Sequence, residues 1–320
     1  MSLKRKMPYR GLLLEYRAAI LLLFLFIIFT VMSRRFFTVD NIRQVLKNES
    51  LIAIVVCGQT MVIIGGGIDL SVGSLLMLCS AVTARLVVGN SLNPILIILT
   101  VLAIGALAGL VNGVLCTKGK IKPFIVTLAM MGIIRGLALI VTGGRNIPSV
   151  NAPWFLRIGQ GRLFSIPIPI LIAVVGIVLT IILIRMTTFG RGLYALGGNR
   201  KVAWLSGIRV SRIAIITYVL CGITAAVASI IQISWLASYA PTIGKNFELE
   251  TILAAVIGGI SLQGGKGHIV GAIFGVMFVG FIWNGLLMLG ISFHLETIII
   301  GIVFIAAVAL DRFIQQQIQS

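Results

Sequence analysis

The stretch Ile-Pro-Ile-Pro-Ile-Leu-Ile-Ala-Val-Val-Gly-Ile-Val-Leu-Thr-Ile-Ile-Leu-Ile, residues 166–184, contains no charged side chain. A helix of about 20 apolar residues is long enough to cross the hydrocarbon core of a bilayer. The rest of the chain has the same character: of its 320 residues, 59% are hydrophobic and 11% are charged, and the mean hydropathy is +1.13. Soluble domains carry about 25% charged residues. The sequence therefore predicts an all-α integral membrane protein.

Ten apolar segments are candidates for membrane-spanning helices. Ten spans of about 20 residues would use about 200 residues, so no room remains for a soluble catalytic or nucleotide-binding domain. The predicted organisation is an N-terminal tail at 1–17, a transmembrane domain at 18–310 and a C-terminal tail at 311–320. The candidate spans lie near 18–33, 51–66, 70–88, 95–116, 123–142, 166–184, 213–233, 249–260, 268–289 and 294–310, of which 249–260 is too short to cross alone.

The formal net charge of +18 does not indicate a nucleic-acid partner. The basic residues lie between apolar runs, where they orient spans in the membrane. Roughly twice as many lysines and arginines fall on the inner side if both termini are cytoplasmic, so this orientation is predicted. The four cysteines are scattered singly and the sequence has two histidines, so we expect neither a metal site nor a disulfide.

A faint internal duplication favours an even number of spans. The pattern around Gly105, Gly109 and Asn112 is echoed near Gly271 and Asn284. Two five-helix halves related in this way would be inverted in the membrane, which is a common transporter plan. The frequency of glycine gives the alternative explanation, since 36 glycines produce shared spacings by chance.

The first informative motif is Gly-Gly-Gly-Ile-Asp-Leu-Ser-Val-Gly-Ser at 65–74. Its glycines interrupt a helix, and a broken helix at membrane depth must lie beside protein or water. Asp69 or Ser71 can cap the following helix. Alternatively, Asp69 lines or gates a translocation path, and the other candidates for that path are Ser71, Gly73, Ser74, Asn112 and Asn284.

Two further motifs carry glycines. Gly264-Gly-Lys-Gly267 does not match a phosphate-binding P-loop, because Gly267 follows the lysine where Ser or Thr is required. A tight turn is predicted there. In the loop 186–212, Asn199 can cap a short helix that ends at Gly207. Such a helix either docks a cytoplasmic partner or lies on anionic lipid.

Arg135 is a charge inside a predicted span. At about 1.5 Å per residue from Pro123 it lies roughly 18 Å along its helix, so it needs a partner or water. Two acids, Glu248 and Glu296, are the expected partners in a structural ion pair. Substrate contact is the alternative.

In this order, the motifs resemble those of the permease subunits of ribose-type sugar ABC importers, within the bacterial branched permease family. The similarity covers about residues 30–312. The matching segments are Gly67-Ile-Asp-Leu-Ser-Val-Gly-Ser74, Arg135-Gly136, Tyr194-Ala-Leu-Gly-Gly-Asn199, Leu205-Ser-Gly-Ile208, Pro241-Thr242, Glu248-Leu249 and Gly264-Gly-Lys-Gly267.

The resemblance implies a non-enzymatic subunit that carries a pentose or hexose across the bacterial inner membrane. It implies a homodimer or heterodimer of permeases in membrane lipid, a cytoplasmic ATP-binding subunit that holds Mg-ATP, and a periplasmic or lipid-anchored sugar-binding protein. It also makes 186–212 the segment that couples to the ATPase. The coupling residues would be Gly197, Gly198, Asn199, Arg200, Lys201, Ala203, Leu205, Ser206 and Gly207.

Two other functions are weighed against this one. An ion-coupled secondary transporter would use Asp69 or Arg135 as its coupling group. A membrane-embedded enzyme acting on lipid would need clustered acids or histidines, whereas the eight acids here are dispersed.

Overall fold

The computed structural model describes residues 17–89 and 93–291, together with residues 295, 298, 299, 301, 302, 305 and 309. Within them the chain is almost entirely helical, as the sequence predicts. The helices are α1 (Arg17–Met32), α2 (Val39–Ile64), α3 (Val72–Gly89), α4 (Pro94–Thr117), α5 (Pro123–Thr142), α6 (Pro153–Gln160), α7 (Ile168–Met186), α8 (Thr188–Gly198), α9 (Arg200–Leu205), α10 (Val210–Leu236), α11 (Phe247–Ile257) and α12 (Ile269–Met288).

Seven helices among the described residues are long and apolar enough to cross a bilayer, namely α2, α3, α4, α5, α7, α10 and α12. The apolar helix α1 is shorter, and α11 has 11 residues. Most of the predicted span 294–310 lies outside the described residues, as do residues 1–16 and the tail 311–320. The total of ten spans therefore stays a prediction.

The second span begins earlier than expected. We predicted 51–66, but α2 begins at Val39, where the Thr38 hydroxyl accepts a hydrogen bond from the Asn41 amide. The first turns of α2 therefore include the basic residues Arg43 and Lys47. Lys47 lies on this helix with its Nζ 4.5 Å from the centre of the Trp235 ring, and a cation over an aromatic face is a favourable contact.

The connection between α5 and α7 holds structure that the sequence did not indicate. Between α5 and α7 lie the short helix α6 and a two-stranded antiparallel hairpin, β1 (Arg162–Leu163) and β2 (Ile166–Pro167). The segment we assigned to the start of a span at 166 therefore begins as a strand, and α7 starts two residues later. Two-residue strands have too little periodicity to be detected from sequence.

Helices in the core approach one another closely through glycine. Gly105 and Gly109 of α4 pack against the backbone of α10, and a methyl group at either position would overlap it. Gly275 of α12 makes the same kind of contact with α11, and Gly271 makes it with Gly258, the residue that follows α11. Small residues at such crossings allow membrane helices to pack tightly. These contacts account for both glycine patterns, and the inverted repeat stays a prediction.

Candidate functional site

The segment between α2 and α3 is organised around Asp69, whose side chain is 1% exposed. Its carboxyl accepts hydrogen bonds from the amide and the hydroxyl of Ser71, at 2.8 and 2.6 Å. The Asn112 amide on α4 donates to the Ser71 hydroxyl at 2.9 Å. Gln59 on α2 donates to the Asp69 carbonyl at 3.2 Å. These bonds fix the chain just before α3 begins. Asp69 accepts from the amide of Ser71, which precedes the helix, and not from an amide of its first turn, so its role as a helix cap stays a prediction.

Most of the residues predicted for the translocation path lie near this cluster. Gly73 and Ser74 form the first turn of α3, and the Ser74 hydroxyl donates to the Ser71 carbonyl at 2.8 Å. Asn284 has a different partner. On α12, its amide exchanges two hydrogen bonds with that of Asn41 on α2, at 2.8 and 2.9 Å. The structure therefore separates Asn284 from the Asp69 cluster.

The three glycine-rich motifs meet in space at one place, which we call the glycine junction (Gly66, Gly197, Gly198, Gly264 and Gly265). At its centre, the Gly265 amide donates to the carbonyl of Ile64, the last residue of α2, at 2.8 Å. Gly197 packs against both of those groups, and a methyl group there would overlap them. The loop 186–212 is thus in backbone contact with the end of α2 and with the turn before α12.

Three of the junction glycines have a left-handed backbone conformation that residues with a side chain disfavour. The φ angles of Gly66, Gly264 and Gly265 are +81°, +85° and +71°. The turn closes with the Gly264 amide donating to the Ser261 carbonyl at 3.0 Å and the Ser261 amide donating to the Lys266 carbonyl at 3.1 Å. The predicted tight turn is confirmed.

Tyr194 adds a side-chain contact to the glycine junction. Its hydroxyl donates to the Gly267 carbonyl at 2.7 Å, which ties α8 to the turn 261–267. Burial raises the pKa of Tyr194, against a smaller lowering by the positive charge of Arg185. The raised pKa keeps the hydroxyl protonated near neutral pH, so it remains a donor.

The short helix predicted in the loop 186–212 is present as α9. The Asn199 side chain accepts hydrogen bonds from the amides of Lys201 and Val202, at 3.0 and 3.1 Å. Gly207 follows the helix with a φ of +79°. Asn199 therefore caps α9 as expected, and Gly207 lies just beyond its end.

The exposed surface of α9 is more apolar than the predicted residue set implies. Val202, Trp204 and Leu205 are 55%, 64% and 67% exposed. Ala203 is 3% exposed and packs against Leu196. Among the predicted coupling residues, Ala203 therefore packs against the rest of the protein and is not available to a partner. Trp204 is the residue that sequence reasoning missed, although a large aromatic residue on a capped, charged helix is a signal for a contact surface.

Arg135 and Glu248 line one cavity, of about 120 Å³. Among the described residues the two make no direct salt-bridge contact, but the positive charge of Arg135 acts on the Glu248 carboxyl group, which lies beside Gly73 in the first turn of α3. The structural ion pair therefore stays a prediction. The other predicted partner, Glu296, lies outside the described residues. A cation and an acid that share a cavity provide donors and acceptors for a polar solute.

Comparison with known proteins assigns the family. Residues 41–308 match the family described as branched-chain amino acid transport system / permease component. The chain is 42% identical to the ribose import permease protein of Escherichia coli (strain K12) over 303 residues, which are 94% of each chain. It is 40% identical to the ribose import permease protein of Bacillus subtilis (strain 168), covering 97% of this chain and 96% of the relative.

More distant relatives have the same kind of name. The fructose import permease protein of Rhizobium meliloti is 34% identical over 89% of this chain and 81% of its own. No solved structure matches the chain. The family match covers most of the sequence, and the named relatives are transport permeases rather than enzymes. This chain belongs to that family of membrane permease components.

Proposed function

We propose that the chain is the membrane-spanning subunit of an ABC importer that carries a monosaccharide, a ribose-like pentose or a hexose, across the bacterial inner membrane. The single observation that carries this proposal is 42% identity to a ribose import permease over 94% of both chains. Relatives named for D-allose and L-arabinose support the class of sugar without selecting one.

The energy source in this proposal is a separate cytoplasmic subunit that binds and hydrolyses Mg-ATP. The exposed apolar surface of α9, formed by Val202, Trp204 and Leu205, supports docking of that subunit on 186–212. Arg200, Lys201 and Arg209 surround this surface with positive charge. An apolar centre with a charged rim is the usual build of a protein–protein contact.

The glycine junction supports a path for the coupling motion. A push on α9 reaches α8, which is in backbone contact with the end of α2 and with the turn before α12. The segment 65–71 leads from the first contact to α3, and the turn joins α11 to α12. Movement of one cytoplasmic loop would thus be passed to two pairs of helices as a rigid-body shift.

The proposed organisation follows the sequence prediction. Residues 18–310 form the transmembrane permease domain, with cytoplasmic tails at 1–17 and 311–320. A second permease copy, identical or related, would complete the path, and a periplasmic or lipid-anchored protein would deliver the sugar. The excess of basic residues on the inner side supports cytoplasmic termini.

Reconstitution tests the proposed function. Proteoliposomes containing the chain alone should import no sugar, whereas addition of the cognate ATP-binding subunit, the sugar-binding protein and internal ATP should start uptake. A protonophore should leave this uptake unchanged. Concentrative uptake by the chain alone, abolished by a protonophore, would instead identify an ion-coupled secondary transporter.

A further inference from the structure

The cavity shared by Arg135 and Glu248 lies where two discontinuous helices begin. Its lining comes from the start of α3, from α5 and from the segment before α11. Gly73 of α3 lies so close to the Glu248 carboxylate and the Gly244 carbonyl that a methyl group at Gly73 would overlap both. The lining residues are Gly73, Ser74, Met77, Met131, Arg135, Ile243, Gly244, Lys245, Asn246 and Glu248.

Both helices start after a non-helical stretch. Residues 65–71 precede α3, and residues 237–246 precede α11. The second stretch contains three residues with left-handed backbone, Ala237 (φ +52°), Gly244 (φ +76°) and Asn246 (φ +64°). Non-helical backbone inside a membrane protein is tolerated where it is packed in protein or lines a water-filled cavity. In transporters, such helix starts near mid-membrane form solute sites.

The depth of the cavity follows from α5. At about 1.5 Å per residue, Arg135 lies about 18 Å along this helix from Pro123, and the hydrocarbon core is about 30 Å thick. Arg135 is therefore near the middle of the membrane, and its side chain is exposed at the surface of the single chain. Because a guanidinium at that depth is costly to leave in lipid, this surface faces protein or an aqueous path.

The chemistry of the lining fits a neutral, hydroxyl-rich solute. A guanidinium only donates hydrogen bonds and an ionised carboxylate only accepts them, whereas a hydroxyl does both. Arg135 and Glu248 line the same cavity without a direct salt-bridge contact between them, so each can bond a hydroxyl group of the same molecule. Ser74 and Asn246 add groups that donate and accept.

We propose that this cavity is the place in the chain where the transported monosaccharide is held during its passage, with Arg135 donating to and Glu248 accepting from its hydroxyl groups. The inference rests on the proposed function and adds its contact site. In this proposal Arg135 and Glu248 bind the solute, which is the alternative to the structural ion pair that the sequence predicts.

The test uses the complete importer, meaning this chain with its cognate ATP-binding subunit and sugar-binding protein in proteoliposomes. D-Ribose, D-allose, D-fructose and L-arabinose are offered in turn, and the sugar that the unaltered complex imports is used for the variants. If the complex imports none of them, the proposed function is wrong and the role of the cavity is removed with it. If the complex imports one of them, the variants test separately whether the cavity binds that sugar.

Arg135→Gln and Glu248→Gln should each lower sugar uptake about tenfold, as expected when a hydrogen bond to a charged group is lost. ATP hydrolysis stimulated by the loaded binding protein should persist, because the docking surface on α9 is untouched. The control is Gly132→Ala on the same helix, where a methyl group meets no atom within 4 Å; its uptake should be unchanged.

A charge exchange separates solute contact from a structural ion pair. In the double variant Arg135→Glu with Glu248→Arg, an ion pair would be rebuilt and uptake would recover. A solute site would have its donors and acceptors in the wrong places, so uptake should stay low. Recovery in the double variant, or normal uptake in both single variants, would overturn the proposal.

Thiol labelling gives a readout that does not depend on transport rate. The native cysteines in the described structure are buried, so background labelling should be low. Met131→Cys places a thiol on the cavity, where a water-soluble maleimide should label it and the transported sugar should slow labelling several-fold. Labelling that is absent, or that the sugar leaves unchanged, would contradict a sugar site here.

Discussion

At the scale of single residues, Gly197 imposes a severe steric constraint on the coupling segment. Its Cα lies against the Ile64 carbonyl and the Gly265 amide, which are hydrogen-bonded to each other at 2.8 Å. A side chain at Gly197 would therefore push the coupling segment away from the two elements that it contacts. Overpacking of this kind costs about 1–3 kcal/mol.

Gly197→Ala should uncouple the importer. The methyl group would overlap backbone atoms, so we expect ATP-driven sugar uptake to fall by tenfold or more while the ATP-binding subunit still co-purifies with the permease. The neighbour provides a matched control: a methyl group at Gly198 meets no atom within 4 Å, so Gly198→Ala should transport normally. If Gly197→Ala transports as well as the unaltered importer, the glycine junction does not transmit the motion.

Tyr194 is a milder test of the same junction. Tyr194→Phe removes the hydrogen bond to the Gly267 carbonyl and leaves the ring, so it should cost about 1 kcal/mol locally. We expect a several-fold loss of uptake per ATP hydrolysed. The pKa of Tyr194 is raised above the ordinary tyrosine value, which is about 10. The hydroxyl therefore donates this hydrogen bond at any pH below that value, and the bond is lost only as the pH rises through the raised pKa. The loss caused by Tyr194→Phe should therefore be the same at pH 6 and pH 8.

The three motifs of the glycine junction are recognisable in the sequence, but their proximity in space is not. Each of the three motifs was identified separately, because each interrupts an apolar run with glycines. Their convergence depends on how α2, α8 and the turn before α12 pack, and residues so far apart along the chain leave no periodic signal in a single sequence. Hydropathy determines spans, whereas contacts between loops are set by tertiary packing.

At the scale of elements, α9 is a six-residue helix that cannot be stable by itself, since isolated helices need about 12–15 residues. Two contacts with the rest of the chain stabilise it. Asn199 caps its first turn, and Ala203 packs beneath it with Leu196 and Val210. This support leaves Val202, Trp204 and Leu205 as a preformed apolar contact surface.

Trp204→Ala should reduce binding of the ATP-binding subunit more than any charge change on α9, because large buried aromatics dominate contact energies, often at 2 kcal/mol or more. The measurement is the affinity of the detergent-solubilised permease for the purified subunit. Leu205→Glu should act in the same direction. Lys201→Ala is the control on the same helix, because a rim charge contributes little to affinity; a larger effect of Lys201→Ala than of Trp204→Ala would contradict an apolar contact.

Asn199→Ala tests whether the surface must be preformed. Loss of an N-cap costs about 1 kcal/mol of helix stability, so subunit binding should weaken by several-fold without loss of the spans. Binding that is unchanged in Asn199→Ala would mean that the partner itself imposes the helical form of 200–205.

Element boundaries were predictable where composition changes sharply and not elsewhere. Asn93 before Pro94 and Gly143 after Thr142 mark the ends of α4 and α5, and the predicted spans agree with them closely. The start of α2 was placed twelve residues too late, because its first three turns are polar and carry Arg43 and Lys47. Those turns are helical since Thr38 caps them and the core packs against Val45, which hydropathy does not register.

At the scale of the whole molecule, the coupling segment and the cavity are at opposite ends of the same two connections. From the glycine junction, residues 65–71 lead to the start of α3, and the turn before α12 leads back through α11 to Glu248. The two discontinuous helices touch at Gly73 and Gly244. A shift of the junction would therefore change the contact between their starts, which is where the proposed sugar site lies.

Gly73→Ala should separate transport from docking. The added methyl group would overlap the Gly244 carbonyl and the Glu248 carboxylate, so it would force α3 and α11 apart at a cost of about 1–3 kcal/mol. Uptake should fall strongly while the ATP-binding subunit binds α9 with unchanged affinity, the reverse of the pattern expected for Trp204→Ala. Measuring both quantities on both variants gives the comparison, with Gly132→Ala again as the glycine whose surroundings are open. If Gly73→Ala transports at the normal rate, the close approach of the two helix starts has no part in the transport cycle, and the path for the solute must run elsewhere in the molecule.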